Sequence, residues 1–193
     1  MPLSRRSFLH IGGVTAGSAV VGWFIQRAKS RGATRLRPPG GDDEDALLAA
    51  CIRCGQCVHA CPVDALHLTD IRSGPAAATP YFTAREQPCD LCPSLDAMRC
   101  IAACPTTALQ PVESRHEVRI GVAMIDSDLC FPWIGVACKA CWHACPFPND
   151  AIKFDERGRP LVVEQACVGC GLCEHVCLTE QPAIVVRPAK RET

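Results

Sequence analysis

Hydrophobic positions along the 193-residue chain fall into one long stretch and four short, similar runs. The long stretch, Ile11 to Ile25, is broken by four Gly, Thr15 and Ser18. Its fifteen residues fall short of the roughly 20 apolar residues that cross a bilayer. The short runs are Ala65-Leu66-His67-Leu68, Ala108-Leu109-Gln110, Ala151-Ile152-Lys153-Phe154 and Ala183-Ile184-Val185-Val186. Each predicts a short strand entered through Ala, and partner strands are predicted from Val118-Arg119-Ile120 through Ile125 and at Leu161-Val162-Val163. A loop, a turn and a strand thus recur four times along the chain.

Composition supplies the reason for the loops. The chain holds 16 Cys, 16 Pro and 14 Gly, with aromatics at only 5%. A core of that makeup needs covalent or metal staples beside hydrophobic packing.

The Cys fall into four groups of four. The first is Cys51-x2-Cys54-x2-Cys57-x3-Cys61, followed by Pro62. The second is Cys89-x2-Cys92-x7-Cys100-x3-Cys104, followed by Pro105. The third is Cys130-x7-Cys138-x2-Cys141-x3-Cys145, followed by Pro146. The last is Cys167-x2-Cys170-x2-Cys173-x3-Cys177, with Leu178 in place of Pro. The first spacing is the run that holds [4Fe–4S] clusters in bacterial ferredoxins. Three Cys of such a segment converge on one cubane, while the fourth points away and ligates a second. Pro after the fourth Cys fixes the exit of the chain, and Gly55, Gly169 and Gly171 let the loops bend close to sulphur. The sixteen Cys therefore predict four clusters.

Like spacing suggests a nested pairing, with groups one and four as an outer module and groups two and three as an inner one. Cluster 1 would then take Cys51, Cys54, Cys57 and Cys177, and cluster 2 would take Cys167, Cys170, Cys173 and Cys61. Cluster 3 would take Cys89, Cys92, Cys100 and Cys145, and cluster 4 Cys130, Cys138, Cys141 and Cys104. A sequential pairing, first group with second and third with fourth, is the alternative.

Two other staples compete. Structural zinc uses four Cys as two separated pairs, seldom three within seven residues. Disulfides rarely join neighbours on one tight loop without strain. His59, His143 and His175 share a place between the third and fourth Cys of their motifs. They read as polar spacers on solvated turns rather than proton-coupled partners of the clusters. Asp42, Asp43, Glu44 and Asp45 read as a solvated helix start. No phosphate loop, dinucleotide fingerprint or nucleophile–base pattern stands out, so no enzyme is expected.

Charge narrows the partners. The 20 basic and 20 acidic side chains balance, which argues against nucleic acid. Seven of the basic ones lie in residues 1–37, which hold no Asp or Glu, so the remainder is acidic. Four oxidised clusters would add roughly −8 more. Ser4-Arg5-Arg6-Ser7-Phe8-Leu9-His10, ahead of the Ile11–Ile25 stretch, matches a twin-arginine export signal. Such a signal suits a passenger that folds around its cofactors before export, and it implies the twin-arginine translocase as a partner. No clean cleavage site stands between Ala28 and Ala33, so retention as an uncleaved anchor is the other reading.

With this signal, Arg35-Leu36-Arg37-Pro38-Pro39-Gly40, the Cys51 to Pro62 run and Gln181-Pro182-Ala183-Ile184, the chain resembles the NapG/MauM group of periplasmic ferredoxin-type proteins. The resemblance implies an electron relay in the periplasm, or attached to the outer side of the inner membrane. Its partners would be a polytopic membrane quinol-oxidising ferredoxin-type protein and a periplasmic cytochrome or reductase. Alternatives are a maturation or electron-transfer factor for methylamine dehydrogenase, and the electron-transfer subunit of a molybdenum oxidoreductase. The end of the chain at Thr193 and Leu178 in the last motif leave the branch open. The expected fold is α+β, built of ferredoxin-like modules with short strands and cluster-binding loops. Residues 1–33 would be the signal, 34–45 a linker and 46–190 the four-cluster region. Within that region the outer module would be 46–78 with 156–190, and the inner one 79–155.

Overall fold

The computed structural model describes residues 35–189, which lie within one compact unit, Thr34–Thr193. The export signal expected in residues 1–33 falls outside the described residues. Among the described residues, no helix is long and apolar enough to cross a membrane.

Every helix is short because a Cys loop starts or stops it. Helix α1 (Glu44–Ala50) begins at Asp43, whose side chain accepts a hydrogen bond from the Ala46 N–H at 2.9 Å. It buries Leu47 and ends at Cys51, where the chain turns into the first Cys loop. Helices α2 (Gln56–His59) and α3 (Arg99–Ala102) pack against each other, as do α4 (Ala140–Ala144) and α5 (Leu172–His175). Three antiparallel two-stranded sheets accompany them. Strand β1 (His67–Leu68) pairs with β2 (Pro80–Tyr81), and β3 (Gly121–Ile125) pairs with β6 (Ile184–Pro188). Strand β4 (Ile152–Phe154) pairs with β5 (Pro160–Val162).

Three of the four Ala-led runs are strands, as their pattern predicts. The run at Ala108–Gln110 is not. Its neighbour is the Pro38–Gly41 segment, whose two Pro have no N–H to give a ladder. One bond remains, from the Gln110 N–H to the Gly40 carbonyl at 2.8 Å.

Within the expected linker at 34–45, residues 36–41 instead belong to the core. Leu36 bridges to Phe82, and residues 36–41 are buried. The Arg37 guanidinium forms two bonds to the Glu44 carboxylate, at 2.7 and 2.5 Å, and donates to Thr79 Oγ1 and the Pro80 carbonyl. Glu44 is therefore no plain solvated charge: it pins α1 to the sheet at β2.

The nested modules are also overturned. The helix pair α2–α3 joins groups one and two, and α4–α5 joins groups three and four. Each module thus combines one 2-2-3 group with one carrying the seven-residue spacer. Like spacing relates the two modules to each other, not the halves of one. The modules meet where the Cys89 N–H donates to the Cys170 carbonyl at 3.0 Å. Beside it the Arg85 guanidinium donates to the carbonyls of Glu174, His175, Cys177 and Thr179. A Cβ on Gly171 would come within 2.6 Å of the Ala84 Cβ, so only Gly lets the seam close there.

Candidate cluster-binding sites

Packing of the short helices brings the sixteen Cys into four pockets, named A to D in spatial order. Site A is lined by Cys51, Cys54, Cys57 and Cys104, with Leu47, Leu68 and Pro80 around them. Site B is lined by Cys61, Cys89, Cys92 and Cys100, together with Leu66, Leu91 and Met98. Site C gathers Cys145, Cys167, Cys170 and Cys173 against Ala123, Ile152 and Val186. Site D gathers Cys130, Cys138, Cys141 and Cys177 against Ile125 and Ile184. Each pocket takes three Cys from one group and the fourth Cys of the neighbouring group.

This partition corrects four of the expected pairings. Cys104 belongs with Cys51, Cys54 and Cys57, where Cys177 was expected. Cys61 stands with Cys89, Cys92 and Cys100 rather than with Cys167, Cys170 and Cys173. Cys145 takes that last place, and Cys177 joins Cys130, Cys138 and Cys141. The cause is local. A fourth Cys lies one helical turn past the third, so it faces whichever site the partner helix carries.

The loops reach their shape through left-handed backbone. Arg53 (φ 59°) and Gly55 (φ 73°) turn the loop at A, Leu91 and Cys92 the loop at B, and Gly169 and Gly171 the loop at C. Arg53 pays the steric cost of a side chain there and is held by guanidinium bonds to the carbonyls of Ala77 and Pro75, at 3.0 and 3.2 Å. Gly169 has no latitude, because a Cβ would lie 2.2 Å from the Gly121 nitrogen.

Hydrogen bonds reach the sulphurs from backbone and hydroxyl groups. The N–H groups of Ala65, Ala123 and Ala183 point to Cys61, Cys167 and Cys177 at 3.4, 3.5 and 3.3 Å. Thr106 Oγ1 lies 3.6 Å from Cys104 Sγ, and Thr179 Oγ1 lies 3.1 Å from Cys177 Sγ.

Burial divides the sites into two kinds. Cys92 and Cys100 at B, and Cys167, Cys170 and Cys173 at C, are buried. None of the Cys at A or D is buried, and Cys54 is exposed. Desolvation pushes the Cys100 and Cys170 thiols up to about 12 and raises Cys89 and Cys173 strongly. Cys57 and Cys141 rise to about 11, from burial first and neighbouring thiols second. At Cys104 and Cys177 burial acts upward too, but bonds from Thr106, Thr179 and nearby backbone N–H groups outweigh it, and both thiols are lowered.

The raised thiols have a consequence for the metal-free protein. Unfolded thiols ionise near 9.0, whereas the buried ones hold their protons to about 11 or 12. The unfolded chain then binds fewer protons in that window, and folding stability falls as pH rises through it. Urea unfolding of the apo protein is expected to show a lower midpoint at pH 10 than at pH 8. A flat profile would contradict the burial of these thiols.

The donor sets fit iron–sulphur clusters. All sixteen thiols are free, and each of the four pockets is a small, mainly apolar space bounded by four of them. Among the described residues, no three His, Cys, Asp or Glu gather tightly enough for a single metal ion. Four thiols standing back around an apolar space suit a larger inorganic core.

The chain matches the family model described as the 4Fe-4S dicluster domain over residues 50–108 and again over 134–181. It is 41% identical to the ferredoxin-type protein NapG of Escherichia coli (strain K12), over 95% of this chain and 85% of that protein. It is 38% identical to the methylamine utilization ferredoxin-type protein MauM of Methylorubrum extorquens, over 96% of this chain and 89% of that one. The NapG of Haemophilus influenzae shares 37%, over 95% of this chain and 71% of its own. The chain belongs to the NapG/MauM group of ferredoxin-type proteins. As a member it is an iron–sulphur protein of electron transfer. The first dicluster match spans groups one and two together, in agreement with the sequential modules.

His59, His143 and His175 are exposed, as spacers on solvated turns should be. His175 also bonds the Arg85 carbonyl through Nδ1 at 3.0 Å, so it helps close the seam between modules. Arg85 was not legible as a site residue. Its partners are main-chain carbonyls about ninety positions away, and carbonyls leave no mark in a sequence. Thr106 and Thr179, each two residues past a fourth Cys, carried a readable signal in their spacing.

Proposed function

We propose that the chain holds four [4Fe–4S] clusters and serves as a periplasmic relay. It would take electrons from a membrane quinol-oxidising ferredoxin-type partner and hand them to a periplasmic cytochrome or reductase. The observation that carries this reading is the order of the sites: two enclosed sites, B and C, lie between two more open ones, A and D. Sites A and B share the α2–α3 pair, B and C meet at the Cys89–Cys170 backbone bond, and C and D share α4–α5. When bound, each cluster supplies a one-electron carrier. Cys51, Cys54, Cys57 and Cys104 would hold one at A, and Cys130, Cys138, Cys141 and Cys177 one at D. The B and C sets would hold the other two, with five of their eight Cys buried.

Both open ends carry exposed aliphatic side chains suited to partner contact. Ile52 and Leu68 line A, Leu178 lines D, and Ile134 and Val136 lie on the spacer between Cys130 and Cys138 of D. The Arg5-Arg6 motif supports export by the twin-arginine translocase, and with it a relay outside the inner membrane.

Anaerobically reconstituted protein is expected to contain about sixteen irons, four per cluster. Membranes bearing the quinol-oxidising partner should then reduce it on addition of a quinol, and membranes lacking that partner should not. Fully loaded protein that stays oxidised would overturn the relay while leaving the clusters standing. Likeness to MauM supports a second reading, a maturation or electron-transfer role for methylamine dehydrogenase. A deletion strain separates the two: failure in nitrate respiration favours the relay, and failure in growth on methylamine favours the second role.

A further inference from the structure

Sites A and D share a feature that B and C lack. Two residues after the fourth Cys, the chain has Thr106 at site A and Thr179 at site D. The same position holds Val63 after Cys61 of site B and Phe147 after Cys145 of site C. Each Thr oxygen lies within bonding distance of its cysteine sulphur and also accepts a backbone N–H. Ala108 N–H donates to Thr106 Oγ1 at 3.3 Å, and Ala183 N–H donates to Thr179 Oγ1 at 3.0 Å. With that lone pair engaged, the hydroxyl hydrogen is left to turn toward sulphur. A sulphur bonded to iron has no proton of its own, so the hydroxyl must be the donor there.

We propose that Thr106 and Thr179 are tuning residues, whose hydroxyl bonds to Cys104 and Cys177 set the open end sites A and D at higher reduction potentials than the enclosed sites B and C. This rests on the cluster reading above. A donor to a ligand sulphur stabilises the more electron-rich, reduced state. Enclosure acts in the same direction, since added negative charge is less welcome where Cys92, Cys100, Cys167, Cys170 and Cys173 are buried. The two modules carry the device independently, one through Pro105-Thr106 and the other through Leu178-Thr179. Electrons would therefore rest at the two ends, where partners dock, and cross the middle only in transit.

The test uses the loaded full chain, with iron content measured alongside a redox titration followed by electron paramagnetic resonance. Thr106→Val and Thr179→Val should each lower one potential, by about tenfold in the reduction equilibrium or ~59 mV for one electron. Thr→Ser at either position should restore it. Val63→Thr repeats the Cys104-Pro105-Thr106 spacing at Cys61 and should raise one inner potential. Should a valine variant lose its cluster, Val63→Thr alone decides, because it exchanges one methyl for a hydroxyl and leaves every ligand and both Thr bonds in place. Unmoved or raised potentials in fully loaded valine variants, or no rise in Val63→Thr, would overturn the tuning role. A wild-type preparation far short of sixteen irons would instead sink the cluster reading itself.

Discussion

Cys104→Ala and Cys51→Ala are expected to abolish one and the same cluster signal, with about four of sixteen irons lost in each variant. Cys177→Ala should abolish a different one, shared with Cys138→Ala. The reason is that Cys104 lines site A with Cys51, whereas Cys177 lines site D with Cys138 in the other module. A double variant within one site should lose no more iron than either single variant. A double variant across sites, Cys51→Ala with Cys177→Ala, should lose about eight irons. Iron and sulphide assays with spectra of the reduced protein read this directly. Shared loss between Cys51→Ala and Cys177→Ala would restore the nested pairing and overturn the partition described above.

The second large effect lies away from any ligand. Arg37 is 4% exposed and makes four hydrogen bonds, two to Glu44, one to Thr79 and one to the Pro80 carbonyl. Glu44→Gln leaves a buried guanidinium without its counter-charge. Removing one partner of a buried pair costs about 3–5 kcal/mol. The lower end, about 3 kcal/mol, is expected here because a fifth of the Glu44 side chain remains in contact with solvent. In a unit of this size that corresponds to a fall of roughly 10 °C in Tm. The loss should fall first on site A, because α1 runs from Glu44 straight into Cys51. Thermal unfolding of the loaded protein, followed by cluster absorbance, checks this. A Tm within about 2 °C of the wild type would show that the pair stabilises nothing.

The ligand groups are written in the spacing of the Cys, whereas the Arg37–Glu44 pair exists only in the folded chain. All sixteen thiols of the four pockets stand in groups that the sequence marks, and in two of those groups three Cys lie within seven residues of one turning loop. Three of the four Ala-led apolar runs form the strands they predict. The run at Ala108 failed because its fate depended on Pro38 and Pro39, some seventy positions away. Residues 34–45 look like a linker by their Pro, Gly and charge, yet Arg37 finds Glu44, Thr79 and Pro80 only once the chain has folded back.

Cluster chemistry is written locally, in spacings of two and three residues that a loop or a helical turn converts into geometry. The identity of the fourth ligand at each site is not local. It follows from which short helix packs on which, and four similar Cys groups admit more than one such pairing. Packing of α2 on α3 and of α4 on α5 removes that degeneracy, and with it sets the order of the sites from one open end to the other.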